Sequence, residues 1–336
     1  MLPIAIDANG GDNSPGDIVA GARRARDEFG IDVVLVGTAD VAEVAGDLPV
    51  IEASEVIPME ADPASSVRRM KDSTLVRAAE AVRDGQASAM ISAGNTGATM
   101  GSALLRMGRL RGAKRPAIAT PLPVPSGGHT VMLDAGANAE CQPEWLVQFA
   151  QMGAAYATAR YGIANPRVGL LSIGEEPGKG DPLRKETYEL LVAEGVFAAS
   201  GGRFVGNVEG RDILTDDIDV VVTDGFTGNV TLKTLEGGMK ALVSRLLEAF
   251  GASEEAAAAA DVLMPDLVPL YASLDPENTG GAMLLGVDGV CIISHGSSGE
   301  TAIVNAVQVA REMVEGDVVT TLTEAIAPGQ DHTFRS

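Results

Sequence analysis

Two turns of the same spelling stand where the chain could hold an oxyanion. Residues 92–100, Ser-Ala-Gly-Asn-Thr-Gly-Ala-Thr-Met, follow a strand-like run and open a helical pattern. Residues 218–231, Ile-Asp-Val-Val-Val-Thr-Asp-Gly-Phe-Thr-Gly-Asn-Val-Thr, do the same, and both contain Gly-x-Thr-Gly. The first amides of a helix lack internal partners and carry the positive end of its dipole. A strand end feeding a helix start through a glycine turn is therefore a candidate anion seat. Gly225 and Gly228 admit backbone angles closed to other residues and keep side chains clear of a ligand. The expected cradle comprises Gly94, Asn95, Thr96 and Gly97 on one turn, and Asp224, Gly225, Thr227 and Gly228 on the other. Either turn alone reads equally well as an ordinary strand-helix connection; the shared spelling favours function.

Three more strand ends carry small or polar residues: Asp7-Ala8-Asn9-Gly10-Gly11-Asp12, then 133–138 with Asn138, then 293–298 with His295, and Asn138 and His295 are expected to join the phosphate- or substrate-binding set. The charged stretch 172–180 and the short helix after it add Lys179, Lys185 and Tyr188. A long charged loop after a strand commonly covers a site. Motifs that would bring in a cofactor are missing. Gly178-Lys179-Gly180 lacks the spacing of a P-loop, and no Gly-x-Gly-x-x-Gly follows the first strand. His129, His295 and His332 have no metal-ligand spacing, and no cysteine pair suggests zinc. No Gly-x-Ser-x-Gly appears. Cys141 and Cys291 read as packing thiols rather than acyl carriers. The site is expected to hold an anion without metal or cofactor.

The elements that must position these turns alternate. Strand signals lie near 2–7, 32–37, 49–54, 87–92, 116–120, 130–134, 167–173, 202–207, 218–223 and 289–294. Helical patterns lie at 15–29, 73–84, 97–110, 143–160, 183–194, 230–250 and 300–315. Continuous Val/Ile/Leu/Ala strands separated by helices predict a doubly wound, mostly parallel α/β sheet with helices on both faces, in a single domain over 1–336. Ligands in such sheets bind beyond the carboxyl ends of the strands. The 121–128 segment reads as a turn between strands. The stretch 251–278 is expected to form a helical arm that Pro265 and Pro269 interrupt. Its crowded apolar residues suit core or dimer packing, or contact with a membrane or partner.

The 336 residues are 46% hydrophobic, enough for a large core. A formal charge of −21 argues against nucleic acid. The cations cluster nonetheless: Arg68, Arg69 and Lys71 form one knot, and Arg106, Arg109, Arg111, Lys114 and Arg115 another. No apolar run reaches the ~20 residues of a membrane span. The first residues read as a strand, not a signal peptide, and two distant cysteines fit a reducing cytoplasm.

The segments Ile-Asp-Ala-Asn-Gly-Gly-Asp, Ser-Ala-Gly-Asn-Thr-Gly-Ala, Leu-Asp-Ala-Gly-Ala-Asn, Val-Val-Val-Thr-Asp-Gly-Phe-Thr-Gly-Asn-Val and His-Gly-Ser-Ser occur in this order. In them the chain resembles the bacterial phosphate acyltransferases of phospholipid synthesis, from Ile4 to about Glu315. The resemblance implies a homodimer with a fold similar to phosphotransacetylases. It implies formation of acyl phosphate from inorganic phosphate and long-chain acyl-acyl carrier protein, feeding an acyl-phosphate-using glycerol-3-phosphate acyltransferase. Lys185 and Asn229 become the catalytic candidates, and the Arg106–Arg115 knot a docking surface for the acidic carrier, with Arg68, Arg69 and Lys71 as a second. Two departures stand out. Asn13 occupies the place of a histidine in the family's first loop, so a proton-transfer role for that histidine does not carry over. The family's basic, amphipathic arm is here without Lys or Arg over 246–310, so peripheral contact at the inner face of the membrane would rest on apolar burial. A short-chain phosphotransacetylase using coenzyme A and a non-catalytic phosphate-binding recruitment module are the competing readings.

Overall fold

The computed structural model describes residues 1–274 and 276–326; His332 lies outside this range. The chain runs β1 (Ile4–Asp7), α1 (Gly16–Phe29), β2 (Val33–Gly37), α2 (Ala39–Val44), β3 (Val50–Glu52), α3 (Pro63–Arg69), α4 (Thr74–Arg83) and β4 (Ala89–Ser92). It continues through α5 (Thr96–Arg106), β5 (Ala117–Pro123), β6 (His129–Leu133), α6 (Pro143–Tyr161), β7 (Arg167–Leu171), α7 (Pro182–Leu191) and β8 (Arg203–Val208). Then follow β9 (Val220–Val222), α8 (Gly225–Phe250), α9 (Glu254–Leu274), β10 (Ala282–Leu285), β11 (Val290–Ile293), α10 (Glu300–Glu315) and α11 (Val318–Ala325).

The strands form one sheet in the order β3-β2-β1-β4-β11-β10-β5-β6-β9-β7-β8. Successive strand residues point to opposite faces, and the core divides accordingly. Ile4, Ile6, Val33, Leu35 and Ile91 pack on one face, and Ala5, Val34, Val36 and Met90 on the other. Helices cover both faces, so β1, β2, β4 and β9 are buried along their whole length. Local signals set the helix ends. Pro143 opens α6, and Gly162, in a left-handed conformation at φ 68°, closes it.

The α/β architecture is as expected: seven of the ten strand pairings among the described residues are parallel. The other three, β11–β10, β10–β5 and β5–β6, sit together in the middle. Strand β10 had no counterpart among the expected strands. Its consequence is directional. Three successive reversals leave β6, β9, β7 and β8 running opposite to β1, β2, β3, β4 and β11.

Two further expectations change. Helix α8 begins at Gly225 rather than Val230, so the polar turn is itself the first helical turn. Helix α9 continues through Pro265 and Pro269. Each proline removes one bond from the helical ladder, and the alanine run 256–260 favours helix ahead of them. Among the described residues, no helix is long and apolar enough to cross a membrane.

Candidate active site

Where β9 ends, buried hydrocarbon gives way to two buried polar residues, Thr223 and Asp224. Asp224 caps α8: Oδ1 accepts the Thr227 amide at 2.8 Å, and Oδ2 the Thr227 hydroxyl at 2.8 Å. The Arg184 guanidinium pairs with the same Oδ2 and donates to the hydroxyls of Thr223 and Thr227 and to Asp181. Burial pushes the Asp224 carboxyl up, but Thr227 and Arg184 outweigh it and hold the group below the usual carboxylate range.

The end of β6 supplies a matching turn. Asp134 is fully buried and accepts the amides of Ile118, Gly136, Ala137 and Asn138 at 2.7–3.1 Å. The Asn138 side chain donates to Asp134 and to the Pro116 carbonyl, both at 2.8 Å. The two turns meet at the glycines. A Cβ on Gly228 would stand 1.9 Å from the Asp134 carbonyl oxygen, and one on Gly225 2.7 Å from the Asn138 carbonyl oxygen. These glycines therefore make room for the neighbouring loop, not for a ligand. Three of the four amides of the cradle expected at 225–228 are also taken. The Gly225 amide donates to the Asn138 carbonyl, Thr227 to Asp224 Oδ1, and Gly228 to the Asp224 carbonyl. Gly228→Ala is expected to cost about 3 kcal/mol, as overpacking of a rigid contact does. A urea midpoint equal to that of the parent chain would show that the Asp134 loop yields instead.

Asp224, Gly225, Thr227, Gly228 and Asn138 thus build a frame. On it, Lys185 in the first turn of α7 and Asn229 in the first turn of α8 are exposed. Neither side chain has a hydrogen bond or ion pair among the described residues. Asn229 lies over Gly136, where a methyl group would stand 3.4 Å from its Nδ2. Arg184, beside Lys185, escaped sequence reasoning, which weighed only the lysines of this stretch. Its one available signal is an arginine three residues after the helix-capping Asp181.

The other loops gather at the ends of β1, β4 and β11. Asp7 Oδ2 accepts the Ser92 hydroxyl at 2.8 Å, Asp12 donates its amide to Gly296, and the Asn13 side chain donates to the carbonyls of Ser297 and Ser298. Asn95 is spent on structure. Its Oδ1 caps α5 at the Ala98 amide, and its Nδ2 donates to the carbonyls of Met59 and Ala61. The backbone amides of Asn95, Thr96 and Gly97 have no protein acceptor among the described residues. Behind Gly94 lies a cavity of about 350 Å³ lined by Asp7, Asp12 and Glu60, a poor place for an anion. His295 faces solvent, with Nδ1 2.8 Å from Ser297 Oγ.

The Gly-x-Thr-Gly turns do not share a ligand pocket. β4 and β9 run in opposite directions and stand five places apart, roughly 24 Å at ordinary strand spacing. What joins the two groups is α8. It starts at the β9 end, and in its third turn Lys233 Nζ comes to 3.5 Å from His295 Nε2. That is about 12 Å along the helix from Gly225.

The basic knot borders the first group. Arg115 lies 4.6 Å above the Trp145 ring, and the next residue, Pro116, holds Asn138. Arg109, Arg111 and Lys114 are exposed and make no ion pair among the described residues. Arg106 is turned toward Glu80 at 3.6 Å and is drawn away from that strip. In the charged loop, Lys179 is 4.0 Å from Glu176. Tyr188 packs edge-on against Phe204, and His129 stacks on Tyr161 well away from either group.

The family model described as "Fatty acid synthesis protein" matches residues 2–321. A protein named "Phosphate acyltransferase" from Elusimicrobium minutum (strain Pei191) is 47% identical over 97% of this chain and 96% of its own. One of the same name from Desulfitobacterium hafniense (strain Y51) is 46% identical over 95% of this chain and 96% of its own. The chain belongs to the phosphate acyltransferase family. It is an acyltransferase of fatty acid and phospholipid synthesis. Among solved structures, the "EutD phosphotransacetylase" from Staphylococcus aureus has a similar fold, with a TM-score of 0.61 at 13% identity over 93% of this chain and 94% of that one. A branched-chain phosphotransacylase from Enterococcus faecalis V583 gives 0.59 at 15% identity over 94% and 99%.

The chemistry this acyltransferase can use is narrowed by its thiols. Burial pushes both Cys291, fully buried, and Cys141, half-buried, up to about 12. Neither presents a thiolate near neutral pH, and a thiol nucleophile needs one.

Proposed function

We propose that this acyltransferase joins inorganic phosphate to the acyl group of a long-chain acyl-acyl carrier protein, releasing acyl phosphate for glycerophospholipid synthesis. One observation carries the reading. In a chain of this family, Lys185 and Asn229 stand unpartnered among the described residues, on a frame beside a basic strip that is likewise unpaired among them. Hydrogen phosphate is already a nucleophile, and the thioester is already activated. A phosphate oxygen bonds to the carbonyl carbon, and the electron pair moves onto the carbonyl oxygen. Collapse then breaks the C–S bond, and the proton of hydrogen phosphate ends on the departing thiol. The protein's task is alignment and charge stabilisation. Asn229 donates to the carbonyl oxygen as it becomes an oxyanion, and Lys185 offsets the accumulating negative charge. The neutral thiols support direct attack without an acyl-enzyme.

The strip of Arg109, Arg111, Lys114 and Arg115 is the proposed dock for the acidic carrier, since it leads through Pro116 to Asn138. Arg109→Glu with Arg111→Glu is expected to raise the KM for the carrier substrate about tenfold and flatten its salt dependence. An unchanged KM at low and high salt would remove the dock.

The arm of α8 and α9 exposes Leu242, Leu246, Val262 and Leu263. We assign this face to the homodimer contact in the cytoplasm, with any peripheral membrane contact resting on apolar burial alone. A monomer mass by light scattering would sink the dimer assignment. Acyl phosphate is a reactive mixed anhydride, so an acyl-phosphate-using glycerol-3-phosphate acyltransferase is the proposed next enzyme.

The deciding experiment is mass-spectrometric detection of acyl phosphate from purified protein, phosphate and long-chain acyl-carrier substrate. Preferential use of acetyl-CoA would make the protein a short-chain phosphotransacetylase. No product from either donor would overturn the enzymatic proposal.

A further inference from the structure

The contact between Lys233 and His295 is chemically unusual. His295 Nδ1 receives the Ser297 backbone amide, which can only donate, at 3.3 Å, and the Ser297 hydroxyl, 2.8 Å away, serves as a second donor when Nδ1 is the acceptor. In the neutral ring the proton then sits on Nε2. Nε2 faces Lys233 Nζ at 3.5 Å, and an ammonium has no lone pair to offer. Two donors therefore point at one another with no acceptor between them. Glu236 Oε2 takes one ammonium hydrogen at 2.8 Å and leaves the others. A single anionic oxygen lodged beside Nζ and Nε2 would satisfy both.

The position of the pair adds to the argument. Lys233 follows Asn229 by four residues, so the two side chains share one face of α8 with their Cβ atoms about 5–6 Å apart. The loop bearing His295 is held to the β1–α1 loop by the Asn13 side chain and to β4 by the Ser294 amide on Ser92. The cavity behind Gly94, with Asp12 and Glu60 in its lining, disfavours an anion and leaves the α8 side as the favourable one.

We propose that Lys233 Nζ and His295 Nε2 form the seat of the attacking phosphate, one helical turn beyond the Asn229 that receives the carbonyl. This rests on the phosphate-dependent reading above. It replaces the amide cradle at 225–228 with a cation and a ring N–H. It also puts nucleophile and thioester side by side along one helix, held by residues one turn apart.

The test is ¹⁵N-edited NMR of the histidine rings during titration with inorganic phosphate, with His295→Ala to assign the signal. The His295 ring is expected to be the Nε2–H tautomer and to shift with saturation. Lys233→Met should weaken phosphate at least tenfold in both the titration and its KM, and Lys233→Arg should restore most of it. A rise confined to the KM of the acyl donor would assign the pair to the donor's own phosphate and overturn the proposal. So would a phosphate KM within twofold of the parent in Lys233→Met. The two readings fail separately. A saturable His295 shift in a protein that makes no acyl phosphate supports the seat and defeats the reaction, while product formation with an unmoved His295 signal defeats the seat alone.

Discussion

Asn229→Ala is expected to slow acyl-phosphate formation about 10²–10³-fold, the usual effect of deleting one oxyanion donor. Its urea midpoint should stay close to that of the parent. The side chain is exposed and makes no hydrogen bond among the described residues, so removing it leaves no buried group unsatisfied. The loss should therefore fall on kcat, because the bond is made to charge that develops only during reaction. Lys185→Ala should behave alike. Its ammonium has no ion pair among the described residues to surrender, and its helix is anchored by Arg184 instead. Near-normal turnover in both purified variants would eliminate these assignments. A matching fall in stability would mean that the residues serve the fold.

Arg184→Ala should do the reverse and cost about 3–5 kcal/mol of stability. The guanidinium is buried against Asp224, and its removal strands a carboxylate that is 5% exposed. The pH dependence gives a second reading of the same pair. Asp224 has a depressed folded-state pKa, so its contribution is present above the ordinary carboxylate value and fades as pH falls toward the depressed one. Urea unfolding at a series of pH values should show parent and variant farthest apart near neutrality, converging as acid protonates Asp224. A gap of constant size down to strongly acid pH would mean that lost packing, not the ion pair, is responsible.

The contrast between neighbours 184 and 185 shows where the sequence stops being informative. Both are long cations at the start of one helix. Which of them turns inward depends on the register of α7 against β7 and β9, and no local pattern expresses that. Lys233 is a similar case. Its four-residue spacing from Asn229 is visible in the sequence, yet it acquires meaning only when His295, 62 positions later, is set against it. Gly225 and Gly228 misled in the opposite direction. Glycine at a helix start suits a ligand and a close-packed loop equally well, and only the position of Asp134 tells them apart.

By itself the sequence determined the α/β class, ten of the strands, the principal helices and the family. Those follow from local periodicity, capping residues and the spelling of the strand-end turns, all of which act over a few residues. The tertiary structure decided the direction of the second half of the sheet, because strand β10 pairs antiparallel with β11 and β5, and short apolar strands carry no mark of orientation. That single topological fact sends the two Gly-x-Thr-Gly turns to different edges. It leaves α8, which starts in one group and carries Lys233 to His295 of the other, as the element along which the site is laid out.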